Sequence, residues 1–175
     1  LPVKKNEITQ SIKKIELLSE NISTNNLTKN NQAINLAEWI TLIPITYYPH
    51  GLKAAAIRFK NSLQENSKSH AITENIVEMC HNGIIAWEQD RKIQPILIEG
   101  KNDYNKTKLL QKIIKEYFVN NNIDFRTISS PSGSIVTKLV YLIYLLDFVS
   151  IYKSIINQID PTPVRSIEYL KSKFS

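Results

Sequence analysis

The amino-acid sequence predicts an α/β protein, a three-layer α/β/α sandwich with a mainly parallel sheet, preceded by a helical extension. Short apolar stretches of strand length occupy residues 43–48, 95–99 and 123–128, and each is followed by a longer segment of helical character. Strands that alternate with helices form parallel neighbours, and the helices cover both faces of the sheet. A chain of 175 residues suffices for one such domain and an appendage, but not for two full catalytic domains.

The appendage is predicted at the amino terminus. Apolar residues recur at helical spacing between Lys5 and Glu20, the polar stretch 21–31 has no periodicity, and a second helix is predicted over Gln32–Ile40. We therefore divide the chain into a helical extension or linker over residues 1–40 and a main domain over residues 41–175.

The main domain begins with a strand that leads directly into a helix. The strand Ile43–Tyr48 ends at the turn Pro49-His50-Gly51, and the alanine-rich residues 52–64 favour a helix. Glu65 lies at the carboxyl end of this helix. Residues 66–88 show no clear periodicity and are predicted to be irregular.

Two further strands enclose the next helix. Pro95–Glu99 and Ile123–Ile128 are short apolar strands, and Lys106–Val119 between them carries one apolar stripe opposite its lysines. Ligands of such sheets bind at the carboxyl ends of the strands. The loops after the three strands, including the loop that carries His50, therefore form the candidate ligand-binding rim.

The carboxyl-terminal part is predicted to consist of two helices. Ile135–Ile156 is apolar on nearly all sides, which predicts a buried core helix. A short amphipathic helix is predicted after the turn at Pro163, with Val164, Ile167 and Leu170 facing inward.

Composition and charge narrow the class of function. With 42% hydrophobic and 22% charged residues, the chain is expected to fold as a globular protein. The longest apolar run, Leu139–Leu146, is far shorter than the roughly 20 residues of a membrane span, so no membrane association is expected. No secretory signal is recognisable, and the cytoplasm is the expected location. The net charge of +6 comes from scattered lysines, which give little support to nucleic-acid binding and fit a phosphorylated small molecule as well.

Neither a cofactor nor a metal is predicted. The four glycines are spread through the chain and form neither a dinucleotide fingerprint nor a phosphate-cradling loop. His50, His70 and His81 lack metal-ligand spacing with carboxylates. Cys80 is the only cysteine, which excludes an intrachain disulfide and a cysteine-based zinc site.

Two polar segments carry the candidate chemistry. Gln64-Glu65-Asn66-Ser67-Lys68 and His81-Asn82-Gly83-Ile84-Ile85-Ala86-Trp87 resemble two motifs of the bifunctional phosphoglucose/phosphomannose isomerases. The carboxyl-terminal sugar isomerase (SIS) domain of that family carries Asn-Glu-Asn-Ala-Lys and, downstream, His-Asn-Glu-Ile-Val-Gly-Trp. Leu146–Tyr152 is similar to the family's Gly-Asp-Phe-Val-Ser-Val-Tyr helix, and Asp160–Val164 is similar to its closing segment. The resemblance extends from about Leu36 to Phe174.

The resemblance implies an aldose-ketose isomerisation of a hexose 6-phosphate, glucose or mannose 6-phosphate to fructose 6-phosphate, through a cis-enediolate and without a metal. Glu65 matches the base that moves a proton between C1 and C2, and His81 matches the residue that opens the sugar ring. Lys171 matches the lysine that assists ring opening, and Thr162 matches a threonine near C2 of the substrate. Taken alone, Glu65 and His81 would be read as a solvated carboxylate and a surface histidine.

The resemblance also implies partners. In this family the histidine reaches the site from the neighbouring subunit, so a homodimer would complete each active site. The family's preceding SIS domain holds the sugar phosphate, and no segment of this sequence matches its phosphate loops. Such a domain would be supplied in cis or as a separate chain.

The sequence departs from the second motif, at residues 81–87, at two positions. Gly83 stands where the motif has glutamate, and Ala86 stands where glycine is common. These departures bear on substrate binding and on the dimer, while both acid-base positions are retained.

The sequence leaves two other classes of function open. One is a non-catalytic SIS domain that binds a phosphosugar for regulation or scaffolding, which the missing phosphate loops favour. The other is a structural dimerisation module built on the apolar helix 135–156. Burial of Glu65 away from any cleft would favour the second of these.

Overall fold

The computed structural model describes residues 3–89 and 92–174 and contains a parallel sheet covered by helices on both faces. Its four strands lie in the order β2-β1-β3-β4, and all three pairings are parallel. The elements are α1 Lys5–Ile22, α2 Gln32–Trp39, β1 Ile43–Tyr48, α3 Lys53–Asn66, β2 Ile72–Asn75, α4 Ile76–Glu78, β3 Ile93–Glu99, α5 Asn105–Asn120, β4 Arg126–Ser129, α6 Ile135–Ile156 and α7 Arg165–Phe174. A π-helical turn, Met79–Gly83, and a 3₁₀ turn, Ile85–Glu88, lie between α4 and β3. The predicted three-layer α/β/α class is confirmed.

Strand alternation divides the apolar side chains between two cores. In β3, Ile96 and Ile98 pack with α2, α3 and α6, whereas Leu97 points to the opposite face. There Leu97 contacts a second cluster that contains Phe118 of α5 and Trp87. The sheet is therefore the middle layer, and the turns of residues 79–88 belong to the α5 side.

The amino-terminal helices pack into the first core. Tyr152 of α6 donates a hydrogen bond from its hydroxyl to the Ile22 carbonyl at 2.7 Å, and Ser11 Oγ lies 3.0 Å from Thr137 Oγ1. Helix α1 therefore rests directly on α6. The division of the chain at residue 40 stays a prediction.

Helix α6 is the central helix of its layer. It contacts α1, α2 and α3, and these contacts account for its apolar composition. By length and hydropathy it is the one helix of residues 3–89 and 92–174 that could cross a membrane. The predicted bounds of the helix match those in the structure.

The prediction that residues 66–88 are irregular is wrong, because this segment contains strand β2. The strand pairs in parallel with β1, with Ile72 opposite Ile45 and Asn75 opposite Tyr48. Ile72 is its only apolar residue, and it is 44% exposed at the edge of the sheet. An edge strand of this kind has no hydrophobic alternation from which it could be predicted.

The predicted third strand also begins later than expected, at Arg126. Ile123 instead caps α5 in a Schellman arrangement, in which Ile123 N donates to the Phe118 carbonyl at 2.8 Å and Asn122 has a φ of 52°. Its buried side chain belongs to the capping motif rather than to the strand.

The prediction that α7 turns Val164, Ile167 and Leu170 inward is wrong for the described chain. No residue of α7 is buried, and Ile167 and Leu170 are 44% and 56% exposed. The helix lies outside the core, and within the described residues its apolar face is largely exposed to solvent.

Candidate active site

Glu65 lines a cleft between the end of α3 and the start of the carboxyl-terminal helix. The cleft has a volume of about 370 Å³ and is lined by residues of both segments: Asn61, Gln64, Glu65, Lys68, Pro163, Val164, Ser166 and Ile167. The Glu65 side chain is exposed. The carboxylate is therefore open to a ligand from the cleft, in contrast to the buried position that a purely structural role would favour.

Lys68 ties the two walls of this cleft together. Its Nζ donates to the backbone carbonyl of Glu65 at 2.7 Å and to the carbonyl of Pro161 at 3.1 Å. The backbone of Lys68 has a φ of 53°, a left-handed conformation that ends the helix. The lysine of the first motif thus joins the end of α3 to the closing segment.

The closing segment is held in a local turn beside Lys68. Thr162 N donates to Asp160 Oδ1 at 2.9 Å, and this bond is the main reason that the pKa of Asp160 is lowered. Thr162 is exposed and lies between Pro161, which Lys68 contacts, and Pro163, which lines the cleft. The structure thus brings the Thr162 segment to the Glu65 end of α3.

Lys171 lies further along α7. It is four residues after Ile167, on the same face of the helix, and Ile167 lines the Glu65 cleft. Lys171 itself is exposed and has no ion pair within residues 3–89 and 92–174. The assignment of Lys171 therefore stays a prediction.

His81 lies in the π-helical turn that follows the carboxyl end of strand β2. Glu65 precedes the first residue of β2, whereas His81 follows its last residue, so the two belong to opposite edges of the sheet. No hydrogen bond or ion pair connects them in the described part of the chain. A single protomer thus separates the two predicted acid-base residues.

The turn that carries His81 is anchored by Trp87. The Trp87 ring is 1% exposed and packs edge-to-face on Phe118 at 5.3 Å. Its Nε1 donates to the hydroxyl of Tyr47 at 3.0 Å, and burial strongly raises the pKa of Tyr47. The imidazole of His81 lies on this anchored turn and is not buried in the core.

His50 is exposed in the turn after β1, at the carboxyl edge of the sheet. The turn requires Gly51, which has a φ of 89° and approaches Ile135 of α6. His50 does not line the Glu65 cleft. Its assignment as a substrate-binding residue stays a prediction.

Three residues that sequence reasoning left without a role hold the Glu65 end of α3 on α6. Asp147 accepts a hydrogen bond from Ser62 Oγ at 2.6 Å and pairs with Arg58 at 3.1 Å. Asn66, next to Glu65, donates to Ser150 Oγ at 2.8 Å. Asp147, Ser150 and Asn66 all lie in segments that resemble the family motifs. That resemblance is the sequence signal that could have pointed to their role.

Replacement of Asp147 by alanine is expected to lower the free energy of unfolding by about 2 kcal/mol, because it leaves the buried Ser62 hydroxyl without its acceptor. Chemical denaturation of the chain measures this change. The control is Glu116→Ala, which removes a carboxylate from the exposed pair with Lys112 and should cost well under about 1 kcal/mol. Equal losses for the two variants would contradict the positioning role of Asp147.

A second cleft lies at the carboxyl ends of β3 and β4. It has a volume of about 470 Å³ and is lined by Lys101, Lys108 and Lys115, the last of which pairs with Glu99 at 2.7 Å. None of the sequence-predicted site residues lines it. Lys108 and Lys115 lie seven residues apart on one face of α5, and the tertiary fold adds Lys101 from the loop after β3.

The fold defines the class of domain to which the chain belongs. A glucose-6-phosphate isomerase like protein from Thermus thermophilus shares it with a TM-score of 0.74 at 13% identity, over 96% of this chain and 56% of that one. The tagatose-6-phosphate ketose/aldose isomerase from Escherichia coli shares it with a TM-score of 0.63 at 11% identity, over 86% and 44%. The chain therefore shares the α/β/α fold of these two structures.

Residues 29–174 match the family described as bacterial phospho-glucose isomerase C-terminal SIS domain, and the chain belongs to that family. It is 32% identical over 151 residues to a bifunctional phosphoglucose/phosphomannose isomerase from Caldicellulosiruptor bescii, covering 81% of this chain and 44% of that protein. A relative of the same description from Aquifex aeolicus is 29% identical, over 75% and 42%. The resemblance inferred from the motifs is confirmed. The chain spans less than half the length of these two relatives.

Proposed function

We propose that this chain is the acid-base half of an aldose-ketose isomerase that interconverts glucose 6-phosphate or mannose 6-phosphate with fructose 6-phosphate. The observation that carries the proposal is the open cleft at Glu65, formed by the first motif and the closing segment. Relatives described as bifunctional phosphoglucose/phosphomannose isomerases support the substrate class.

In the proposed reaction, Glu65 removes the proton from C2 of the open-chain aldose and returns it to C1. The intermediate is an enediolate shared by C1 and C2. The C2 hydroxyl loses a proton and O1 gains one, so atoms and electrons balance without an oxidant, a reductant or a cofactor. His81 opens the sugar ring by moving a proton at the ring oxygen, and Lys171 assists it. Thr162 and His50 are proposed substrate contacts.

A homodimer is part of the proposal. Because Glu65 and His81 lie at opposite edges of one sheet, a complete site needs the His81 turn of a second copy beside the Glu65 cleft of the first. A preceding SIS domain, in cis or as a separate chain, is the proposed source of the phosphate-binding loops. The cytoplasm is the proposed location.

A specific observation favours one alternative, a non-catalytic SIS domain that binds a phosphosugar for regulation or scaffolding. The cleft lined by Lys101, Lys108 and Lys115 offers positive charge at the carboxyl edge of the sheet, away from Glu65. In that case a sugar phosphate would bind the isolated chain, and replacement of Lys101 and Lys108 by alanine would remove the binding.

Turnover tests the proposed function. The chain alone, and the chain joined to a phosphate-binding SIS domain of a relative, are assayed for conversion of fructose 6-phosphate to glucose 6-phosphate and mannose 6-phosphate. We call the second form the assembled enzyme. Activity of the assembled enzyme alone is expected. Inactivity of both forms, together with sugar-phosphate binding that depends on the lysines, would support the alternative.

A further inference from the structure

Gly83 lies in the turn that carries His81, and the carboxylate of Glu74 from strand β2 lies where a side chain at position 83 would begin. At Gly83 a Cβ atom would lie 2.7 Å from Oε2 and 3.2 Å from Oε1 of Glu74. Gly83 does not have the positive φ of Gly51 and Gly133. Space for the Glu74 carboxylate, rather than backbone conformation, is therefore what glycine provides here.

The sheet directs Glu74 to this place. In the parallel ladder Glu74 of β2 lies opposite Tyr47 of β1, and residues in register on neighbouring strands share a face. Tyr47 belongs to the core on the α5 side, together with Met79 of the turn. Glu74 thus extends from the edge strand against the Met79–Gly83 turn.

The carboxylate brings negative charge into this turn. Burial, and next the charge of Glu78, raise the pKa of Glu74. Burial, and next the charge of Glu74, raise the pKa of the Cys80 thiol, which lies in the same turn as His81. Within residues 3–89 and 92–174, no hydrogen-bond donor reaches the Glu74 carboxylate.

We propose that Glu74 supplies to the His81 turn the carboxylate that the family motif carries at position 83, and that it is a positioning residue for His81. The motif has glutamate directly after His-Asn, and this chain has Gly83 there. The Glu74 carboxylate occupies the space where a side chain at position 83 would begin. The charge is thus kept, and it comes from strand β2 instead of from the turn.

We call this replacement of a position 83 carboxylate by that of Glu74 the exchange of position. A double-mutant cycle on thermal unfolding of the chain tests it. Gly83→Glu alone is expected to lower the unfolding midpoint by about 3 °C or more, because the new side chain displaces the end of Glu74 and places a second carboxylate beside it. Adding Glu74→Ala should restore most of the loss. Adding Glu78→Ala, which removes an exposed carboxylate of the same segment, should not.

Gly83→Ala provides the milder form of the same cycle if Gly83→Glu fails to fold. Additive effects of the position 74 and position 83 changes, or equal rescue by Glu78→Ala, would overturn the exchange.

The thiol of Cys80 reports the charge of Glu74 directly. Glu74→Gln is expected to move the pH profile of Cys80 alkylation by iodoacetamide to lower pH, since the negative charge no longer raises the pKa of the thiol. Glu78→Gln is the matched control and should leave the profile in place. An unchanged profile in Glu74→Gln would overturn the placement of the carboxylate in the turn.

The positioning role rests on the proposed function, and the assembled enzyme tests it. Glu74→Ala is expected to lower kcat by about ten- to a hundredfold with little change in KM, and Glu74→Ala with Gly83→Glu should recover kcat. If the unfolding cycle shows coupling while kcat stays unchanged, the positioning role is overturned. If the unmutated assembled enzyme is inactive, the proposed function fails, whereas the exchange of position is still decided by unfolding and alkylation.

Discussion

Replacement of Glu65 by glutamine is expected to lower kcat of the assembled enzyme by about a thousandfold, with KM nearly unchanged. Glutamine keeps the size and most of the polarity of the side chain but cannot accept a proton from carbon. Glu65 is exposed in its cleft and has no ion pair in the described chain, so the free energy of unfolding should not change. The coupled assay for glucose 6-phosphate formation measures the loss.

The control for this variant is Glu38→Gln, which neutralises an exposed carboxylate of helix α2 outside the Glu65 cleft. It should keep full activity, which separates the loss of the base from a general change in charge. A Glu65→Gln enzyme that retains a tenth or more of the activity would exclude Glu65 as the base.

Replacement of Trp87 by alanine is expected to lower the free energy of unfolding by about 4 kcal/mol, the largest loss of stability that we expect from any of these variants. The indole is 1% exposed, packs on Phe118 and donates its Nε1 hydrogen to the Tyr47 hydroxyl. Its loss leaves a cavity on the α5 side and removes the donor from a buried phenol. Denaturant unfolding measures the loss.

Trp39→Ala is the matched control, because Trp39 is half-buried and donates to the exposed Asp124 at 2.6 Å. It should cost about 1–2 kcal/mol. Similar losses for the two tryptophans would contradict the view that Trp87 anchors the turn. Because Trp87 holds the segment that carries His81, Trp87→Phe should lower activity more than Trp39→Phe does.

The parts of the fold predicted from sequence are those with a strong local pattern. Strand β1 and helix α6 have the predicted bounds because continuous apolar character and clear flanking turns mark them. Strand β2 has one apolar residue, and pairing with β1, rather than its own composition, makes it a strand. The inward face assigned to α7 assumed a neighbour that residues 3–89 and 92–174 do not provide.

Only the part of the candidate site that lies in the motifs could be predicted from the sequence. Glu65 and His81 follow from the motifs, and the cleft at Glu65 supports the first of them. The roles of Lys68 and Asp147 depend on contacts with Pro161 and Ser62, which are far away in sequence. Glu74 could not be predicted, since its closeness to Gly83 arises only when β2 joins the sheet.

The central claim is that one copy supplies Glu65 and a second copy supplies His81, and subunit mixing tests it most directly. Assembled enzymes with Glu65→Gln and with His81→Ala are each expected to be nearly inactive. Random exchange of subunits makes about half of the dimers mixed, and each mixed dimer holds one intact site of two. About a quarter of the unmutated activity should therefore return on mixing. A mixture that exchanges subunits, as energy transfer between fluorescently labelled chains can verify, and yet stays inactive would contradict the shared site.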